Sequence, residues 1–267
     1  MRKSHIAALL IVVATATGCR NARTAKIDGL EIERLTVDTA VYIAKGASPK
    51  CRVSMDVEYA EGKNAQKVNG IILNSGVFPP EYIGETNAGN NIKECAKRFA
   101  DTYIACYRND FAPLISADKR QAAMYERNMN FHTYTASERD NILTYTAVFK
   151  EMSGDGSAST QTHVVNIDTQ AMRRIGTGDM LMHGSDTFVK RAICKALCKK
   201  FGARDIAGLR KKGILANEEV YVPDNFIIGR HHITFIFDSD EIAPHDIGEI
   251  RVTIDDSEFG KLLKLKQ

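Results

Sequence analysis

Apolar and polar positions alternate in two long stretches near the start of this chain. Within residues 27–44 the alternation runs from Leu30 to Val41, and within 50–60 it runs through Cys51, Val53, Met55, Val57 and Tyr59. A period of two turns one face of a strand toward a core. Gly46 to Pro49 lies between the stretches as a turn, so they predict an antiparallel hairpin. Residues 64–74 read as a short helix, stopped by Ser75-Gly76 and Pro79-Pro80. The period then changes. Ile92, Cys95, Phe99, Tyr103 and Cys106 recur at three and four across 88–110, which predicts an amphipathic helix. Asn87 or Asn90 is its expected cap, and Pro113 its expected end.

Residues 125–135, 141–150 and 160–167 are rich in Thr, Tyr, Phe and Val, as strands are. Ser153 to Ser157 joins the last two as a flexible turn. Residues 185–201 predict a second amphipathic helix. Ser185 is its candidate cap, and Phe188, Ala192, Leu197 and Phe201 lie near one face. Residues 221–237 give one or two strands, 249–254 another, and 257–265 a closing helix. Strands and helices come in groups, not in strict alternation. The fold class is therefore α+β, with antiparallel sheets packed against two main amphipathic helices.

One apolar stretch belongs to neither pattern. Arg2 and Lys3 precede an uncharged run from Ile6 to Ala14, and Ala16-Thr17-Gly18-Cys19 follows. A basic start, a short apolar core and a small residue before cysteine form the order of a lipoprotein signal. Lipidation at Cys19 is the expectation. The alternative is an ordinary secretory signal cut near Ala16 or Gly18, because Ala16 stands where Leu, Val or Ile is common. The organisation read from the sequence is a signal over 1–18, a tether over 19–26, an N-terminal α+β subdomain over 27–120 and a C-terminal α+β domain over 121–267. The expected location is the cell envelope, with acyl chains holding the protein at the periplasmic face or the outer membrane.

Charge narrows the partners. Without Arg2 and Lys3, the 36 basic residues become 34, against 33 acidic ones. Nucleic-acid binders normally show a clear basic excess, so no nucleic-acid partner is expected. Beyond Cys19 there are Cys51, Cys95, Cys106, Cys194 and Cys198, an odd number that cannot all pair within the chain. Cys95, Cys106, Cys194 and Cys198 read as small buried apolar residues on helix faces, with disulfide or metal use as the alternatives.

Strong catalytic signatures are missing: there is no GxSxG, HExxH or P-loop, and no cofactor or metal is implied. His132 and His163 fall in strands, His183 precedes the second helix, and His231-His232 are strand neighbours on opposite faces. Residues 190–212 carry nine basic side chains against Asp205 alone. Residues 238–258 carry eight acidic ones against Arg251 alone. Both read as solvated surfaces or as faces toward charged partners. Asp240, Glu241, His245, Asp246 and Glu249 are the candidate ligand-binding residues.

Phe235-Ile236-Phe237, Glu241-Ile242-Ala243-Pro244-His245, Gly248, Val252-Thr253-Ile254 and Ser257-Glu258-Phe259 follow one another in order. Through them, 226–259 resembles the C-terminal motif of the RsiV/PdaC-type domain, a domain of unknown function found in cell-envelope proteins, including Bacteroidetes lipoproteins. Residues 143–168 resemble that family's strand–turn–strand. One departure is clear: family members carry a Gly-Gly-Ala-His turn where this chain has Ser153 to Ala158, with no histidine. The family includes an anti-sigma factor that senses lysozyme and a peptidoglycan deacetylase with its chemistry in a separate domain. The resemblance implies neither whole function here. It implies a module on a lipid anchor that binds a protein or peptidoglycan, without catalysis. The alternative is a hydrolase of cell-wall material, which requires at least two of His132, His163, His183 and His232 to meet beside a carboxylate.

Overall fold

The structure is a computed structural model that describes residues 25–27, 29–44, 47–83, 91–117 and 119–265. The expected signal, Cys19 and most of the tether lie outside the described residues. No helix among those described is long and apolar enough to cross a membrane.

The expected hairpin is the spine of the fold. Strands β2 (Leu30–Ala44) and β3 (Ala47–Glu61) pair antiparallel over their whole length, and β1 (Ala25–Ile27) adds to the free edge of β2. Helices α1 (Ala65–Leu73), α2 (Pro80–Ile83) and α3 (Ile92–Ala117) then carry the chain across the sheet. It re-enters as β4 (Arg127–Arg139), which runs parallel to β3. A parallel neighbour needs such a crossover, and three helices supply it. Strands β5 (Ile142–Ser153), β6 (Ala158–Asp168) and β7 (Arg173–Ile175) complete a seven-stranded sheet in sequential order. This sheet runs without interruption across position 120.

The second part of the chain is smaller. It comprises α4 (Thr177–Met180), α5 (Asp186–Phe201), α6 (Ile206–Arg210), β8 (Phe226–Ile228), β9 (His232–Phe237), β10 (Ile250–Asp255) and α7 (Asp256–Phe259). The last three strands form a separate antiparallel sheet, β10-β9-β8. The architecture is α+β, as its grouped elements predict.

Two apolar cores follow. The first lies between α1, α3 and one face of the large sheet. Phe78, Phe99 and Phe131 are packed at its centre, with ring centroids 5.0 to 6.4 Å apart. The second lies between α5 and the small sheet, where Val189, Ile193 and Leu197 meet Phe235, Phe237 and Ile254. Burying each such side chain contributes about 1.5–3 kcal/mol. Ile142 on β5 belongs to this second core, and Asn166 on β6 donates to the Phe226 carbonyl at 2.7 Å. The small sheet therefore sits against the face of the large sheet that α3 leaves open. Ile142 through Ala147 are all buried in consequence, a run that alternation alone does not describe.

Several local expectations are corrected. Helix α3 does not end at Pro113; it continues to Ala117 with the proline inside. Burial of Ile115 holds the last turn despite the missing N–H donor. Asn87 and Asn90 lie outside the described residues. Asn91 caps the helix, its Oδ1 accepting from the amides of Lys93 and Glu94 at 3.1 and 3.3 Å. Ser185 stands at the N-cap of α5, but its hydroxyl makes no capping bond. Phe188 faces solvent, and the buried stripe of α5 is Val189, Ile193 and Leu197. The closing helix is only the single turn of α7 followed by a short 3-10 turn to Leu262.

Candidate binding site

The junction between the two sheets exposes part of one edge of β6. Strand β7 pairs only with Asn166, Ile167 and Asp168. Before that, the backbone of β6 is met by side chains from the second part. Asn225 Oδ1 accepts from the Val164 amide at 3.0 Å, and Asn225 Nδ2 donates to the Thr162 carbonyl at 2.6 Å. Asp238 Oδ1 accepts from the Thr162 amide at 3.3 Å. These three bonds occupy an edge that would otherwise offer itself to another strand.

A cleft of about 470 Å³ opens beside this edge. Its wall is the extended segment Tyr221 to Asn225, and its charged lining is Asp224, Asp238 and Glu241, with His163 from β6. Glu241 is held on both oxygens. It accepts from the Tyr221 hydroxyl on one, and from the Asp238 amide at 2.5 Å on the other. Burial holds Asp238 above the usual carboxylate range, with Glu241 and Glu249 adding to the rise against the Thr162 hydrogen bond. Burial, reinforced by Arg174, holds His163 below the ordinary imidazole range. Burial and Glu241 push the Tyr221 phenol upward, so it stays a hydrogen-bond donor.

A second cleft, of about 340 Å³, lies across the same segment, so that Tyr221 and Val222 line both. Its charged lining is His183, Asp186, Lys190 and Lys264. Thr177 on this side donates from Oγ1 to Asp224 on the other, at 3.3 Å. The two clefts form one trough with an acidic end and a mostly basic end.

The expected ligand-binding residues divide. Glu241 lines the acidic cleft. Asp240 and His245 pair on the adjoining turn at 2.7 Å, and His245 Nε2 meets the Ala158 carbonyl at 3.0 Å. Asp246 is exposed there and adds negative charge near His245. Glu249 turns away to Arg251, at 2.6 Å. The acidic stretch is thus not one face. Asp256 is buried beneath it with Arg139, and Glu258 pairs with Lys195 at 3.0 Å. Sequence reasoning names His163 only for the hydrolase and Asp238 only within the acidic stretch, and it misses Tyr221, Asp224 and Asn225. The polar, proline-bearing segment Tyr221-Val222-Pro223-Asp224-Asn225 was their available signal, because it interrupts a strand pattern without being a turn.

The hydrolase needs at least two of the four histidines beside a carboxylate, and no two of them meet in either cleft. His163 and His183 occupy different ends of the trough, and His132 pairs with Asp56 at 3.4 Å on the large sheet. His232 packs its ring over Gly229. Among the described residues, no group of three His, Cys, Asp or Glu side chains is placed to hold a metal ion. Cys51, Cys95, Cys106, Cys194 and Cys198 are all free thiols.

Residues 179–257 match the family described as "Protein of unknown function (DUF3298)". The matched stretch runs from α4 through β10 into α7, and it includes most of the trough. No curated protein matches the sequence. The fold is similar to that of a crystal structure of a DUF3298 family member from Bacteroides fragilis, with a TM-score of 0.75 and 19% identity. That likeness covers 88% of this chain and 94% of the other. A DUF3298 family protein from Pseudomonas aeruginosa is similar at a TM-score of 0.60 and 13% identity, again over 88% and 94%.

Proposed function

We propose that this chain is a non-catalytic cell-envelope lipoprotein, anchored through Cys19, that binds a protein or a cell-wall glycan in the trough across Tyr221. The observation that carries the binding role is the trough itself. It lies at the junction of the two sheets, within reach of solvent, and gathers polar side chains from β6, the Tyr221 segment and the acidic turn. The anchor rests on the order of residues 1–19. Kinship with the RsiV/PdaC-type modules of Bacteroidetes lipoproteins is part of the same proposal. It is supported by the 235–259 motif, which here forms β9, the acidic turn, β10 and α7.

Two measurements test this reading. Radiolabelled palmitate fed to expressing cells should enter the wild-type chain and be absent from Cys19→Ser. A pull-down should retain the protein on lysozyme or on purified peptidoglycan, and Asp238→Asn or Glu241→Gln should weaken that retention. No retention on either bait removes both ligands, and an unlabelled wild-type chain removes the anchor. No observation favours the hydrolase.

A further inference from the structure

Apart from the trough, we infer that the free edge of β10 docks an extended segment of another protein, added antiparallel as a fourth strand of the small sheet. The direction of the main chain decides which groups are free. On β9, the His232 carbonyl accepts from the Gly229 amide and the Ile236 amide donates to the Asn225 carbonyl, so these positions face β8. Ile233, Phe235 and Phe237 therefore face β10, opposite Ile254, Val252 and Ile250. The N–H and C=O groups of Arg251 and Thr253, and the N–H of Asp255, then point outward, where no strand of the sheet lies. Among the described residues, no backbone group bonds to them.

The comparable edges are closed. Asn166 covers the outer edge of β8, donating to the Phe226 carbonyl at 2.7 Å and accepting from the Ile228 amide at 3.4 Å. Asn225, Asp238 and His245 cover β6. On β10 no such cover is present, and a row of unpaired main-chain groups is a template for another strand.

Burial and charge define the strand that fits. Val252 and Ile254 are buried on the α5 side, while Arg251, Thr253 and Asp255 project from the other face. The Asp255 carboxylate is exposed and makes no capping bond to α7. Arg251 is steadied by Glu249 at 2.6 Å. An antiparallel partner places a base opposite Asp255, an acid opposite Arg251, and apolar residues opposite Val252 and Ile254.

The large sheet narrows the choice further. β10 stands above β4, because Asp256 bonds Arg139 and Tyr134 lies beside Arg251. An added strand lies above β3 and β2, where Arg34 pairs with Asp56 at 3.3 Å and with Glu58 at 2.7 Å. That charged floor favours polar side chains on the lower face of the guest. It also excludes a second copy. The sequence of β10 fits its own pattern, but the large sheet of the copy would need the place of β3.

The probe is the acetylated, amidated peptide Thr-Lys-Val-Thr-Val-Glu-Thr, titrated into the isotope-labelled, detergent-solubilised full chain. Calorimetry gives the affinity, and amide exchange by NMR gives the place. The peptide should bind and protect the Arg251, Thr253 and Asp255 amides. N-methylation at its lysine, central threonine and glutamate, whose amides face β10, should abolish binding. N-methylation at its two valines, whose amides face away, should not. Asp255→Lys should weaken the peptide about twofold to fivefold, and glutamate in place of the peptide's lysine should restore it. No binding, protection elsewhere, equal effects of the two methylations or no restoration overturns the inference. Dimerisation of the chain with the same protection and no peptide also overturns it, by making the second copy the occupant.

Discussion

Arg139 and Asp256 lie 117 positions apart and form a buried ion pair at 2.8 Å, with side chains 5% and 4% exposed. Arg139 also donates from Nε and Nη2 to the Gly229 carbonyl, at 3.2 and 2.8 Å. One guanidinium at the tip of the β4–β5 hairpin therefore ties the large sheet to both the loop before β9 and the start of α7. Arg139 Nη1 and Asp256 Oδ1 have no partner.

That geometry sets a stability prediction. Asp256→Ala leaves a buried cation alone and should cost about 3–5 kcal/mol. The double variant Arg139→Met/Asp256→Leu removes both charges and should cost much less. Urea unfolding of the three chains checks the pair. If the double variant loses as much stability as Asp256→Ala or more, the two residues do not act as a pair.

A tighter constraint sits at the β5–β6 turn. A Cβ at Gly154 would stand 1.9 Å from the Ala123 carbonyl oxygen, and the Gly154 amide donates to the Glu126 carbonyl at 2.9 Å. Backbone meets backbone there, so neither side can rotate away. Gly154→Ala should destabilise by about 1–3 kcal/mol through overpacking. Gly156, two residues on, has φ +87° and open space around it. Gly156→Ala should meet only the left-handed strain, about 1–2 kcal/mol. Thermal unfolding measures both costs, and Gly154→Ala alone should loosen proteolytic protection at residues 119–126.

Much of this architecture was legible in the chain, because period two and period three-to-four are local signals. The β2–β3 hairpin and α3 stand where alternation and helical spacing predict them. Long-range placement was not legible. Nothing in the spacing of Val53 and Phe131 says that β3 and β4 pair in parallel. Nor does local pattern reveal that Asn225 seals the edge of β6 from 61 residues away. The acidic stretch looked uniform because charge is read along the chain, whereas burial divided Asp238, Glu249 and Asp256 among three surroundings. Ser185 failed as a cap for a backbone reason: its φ of −78° and ψ of −7° are already helical, whereas a capping residue is extended.

The free cysteines should separate by burial when the native Cys19→Ser chain meets a thiol reagent. Cys51 is 0% exposed, and burial pushes its thiol up to about 12, so its reactive thiolate is scarce at neutral pH. Cys95 is also buried, and burial raises its thiol. Cys106, Cys194 and Cys198 are only half-buried. Peptide mass mapping after brief labelling should find these three modified first, and Cys51 and Cys95 only after unfolding. Early modification of Cys51 contradicts the packing of β3 against α3.

Two groups near the trough each make the fold less stable as pH rises, in different windows. His245 faces acceptors on both ring nitrogens, the Asp240 carboxylate and the Ala158 carbonyl. Both bonds need an N–H, so this geometry is that of the imidazolium. The hydrogen bond that His245 donates to Asp240 raises its pKa most, followed by the one it donates to the Ala158 carbonyl. A raised folded value means that its stabilisation is fully present below the unfolded value, near 6.5, and is lost as pH climbs through the folded one. Asp238 is also raised, chiefly by burial. For a carboxylate the raised value means that ionisation weakens the fold, so its cost grows as pH rises from the unfolded value, 3.8, through the folded one. Asp238→Asn keeps an acceptor for the Thr162 amide and removes the charge. Its stability relative to wild type should therefore rise across that acid window and then level off. In His245→Gln the loss should be largest below pH 6.5 and fade in alkali. Denaturant unfolding across pH 3 to 9 measures both. A pH-independent difference for Asp238→Asn would show that burial does not perturb that carboxylate.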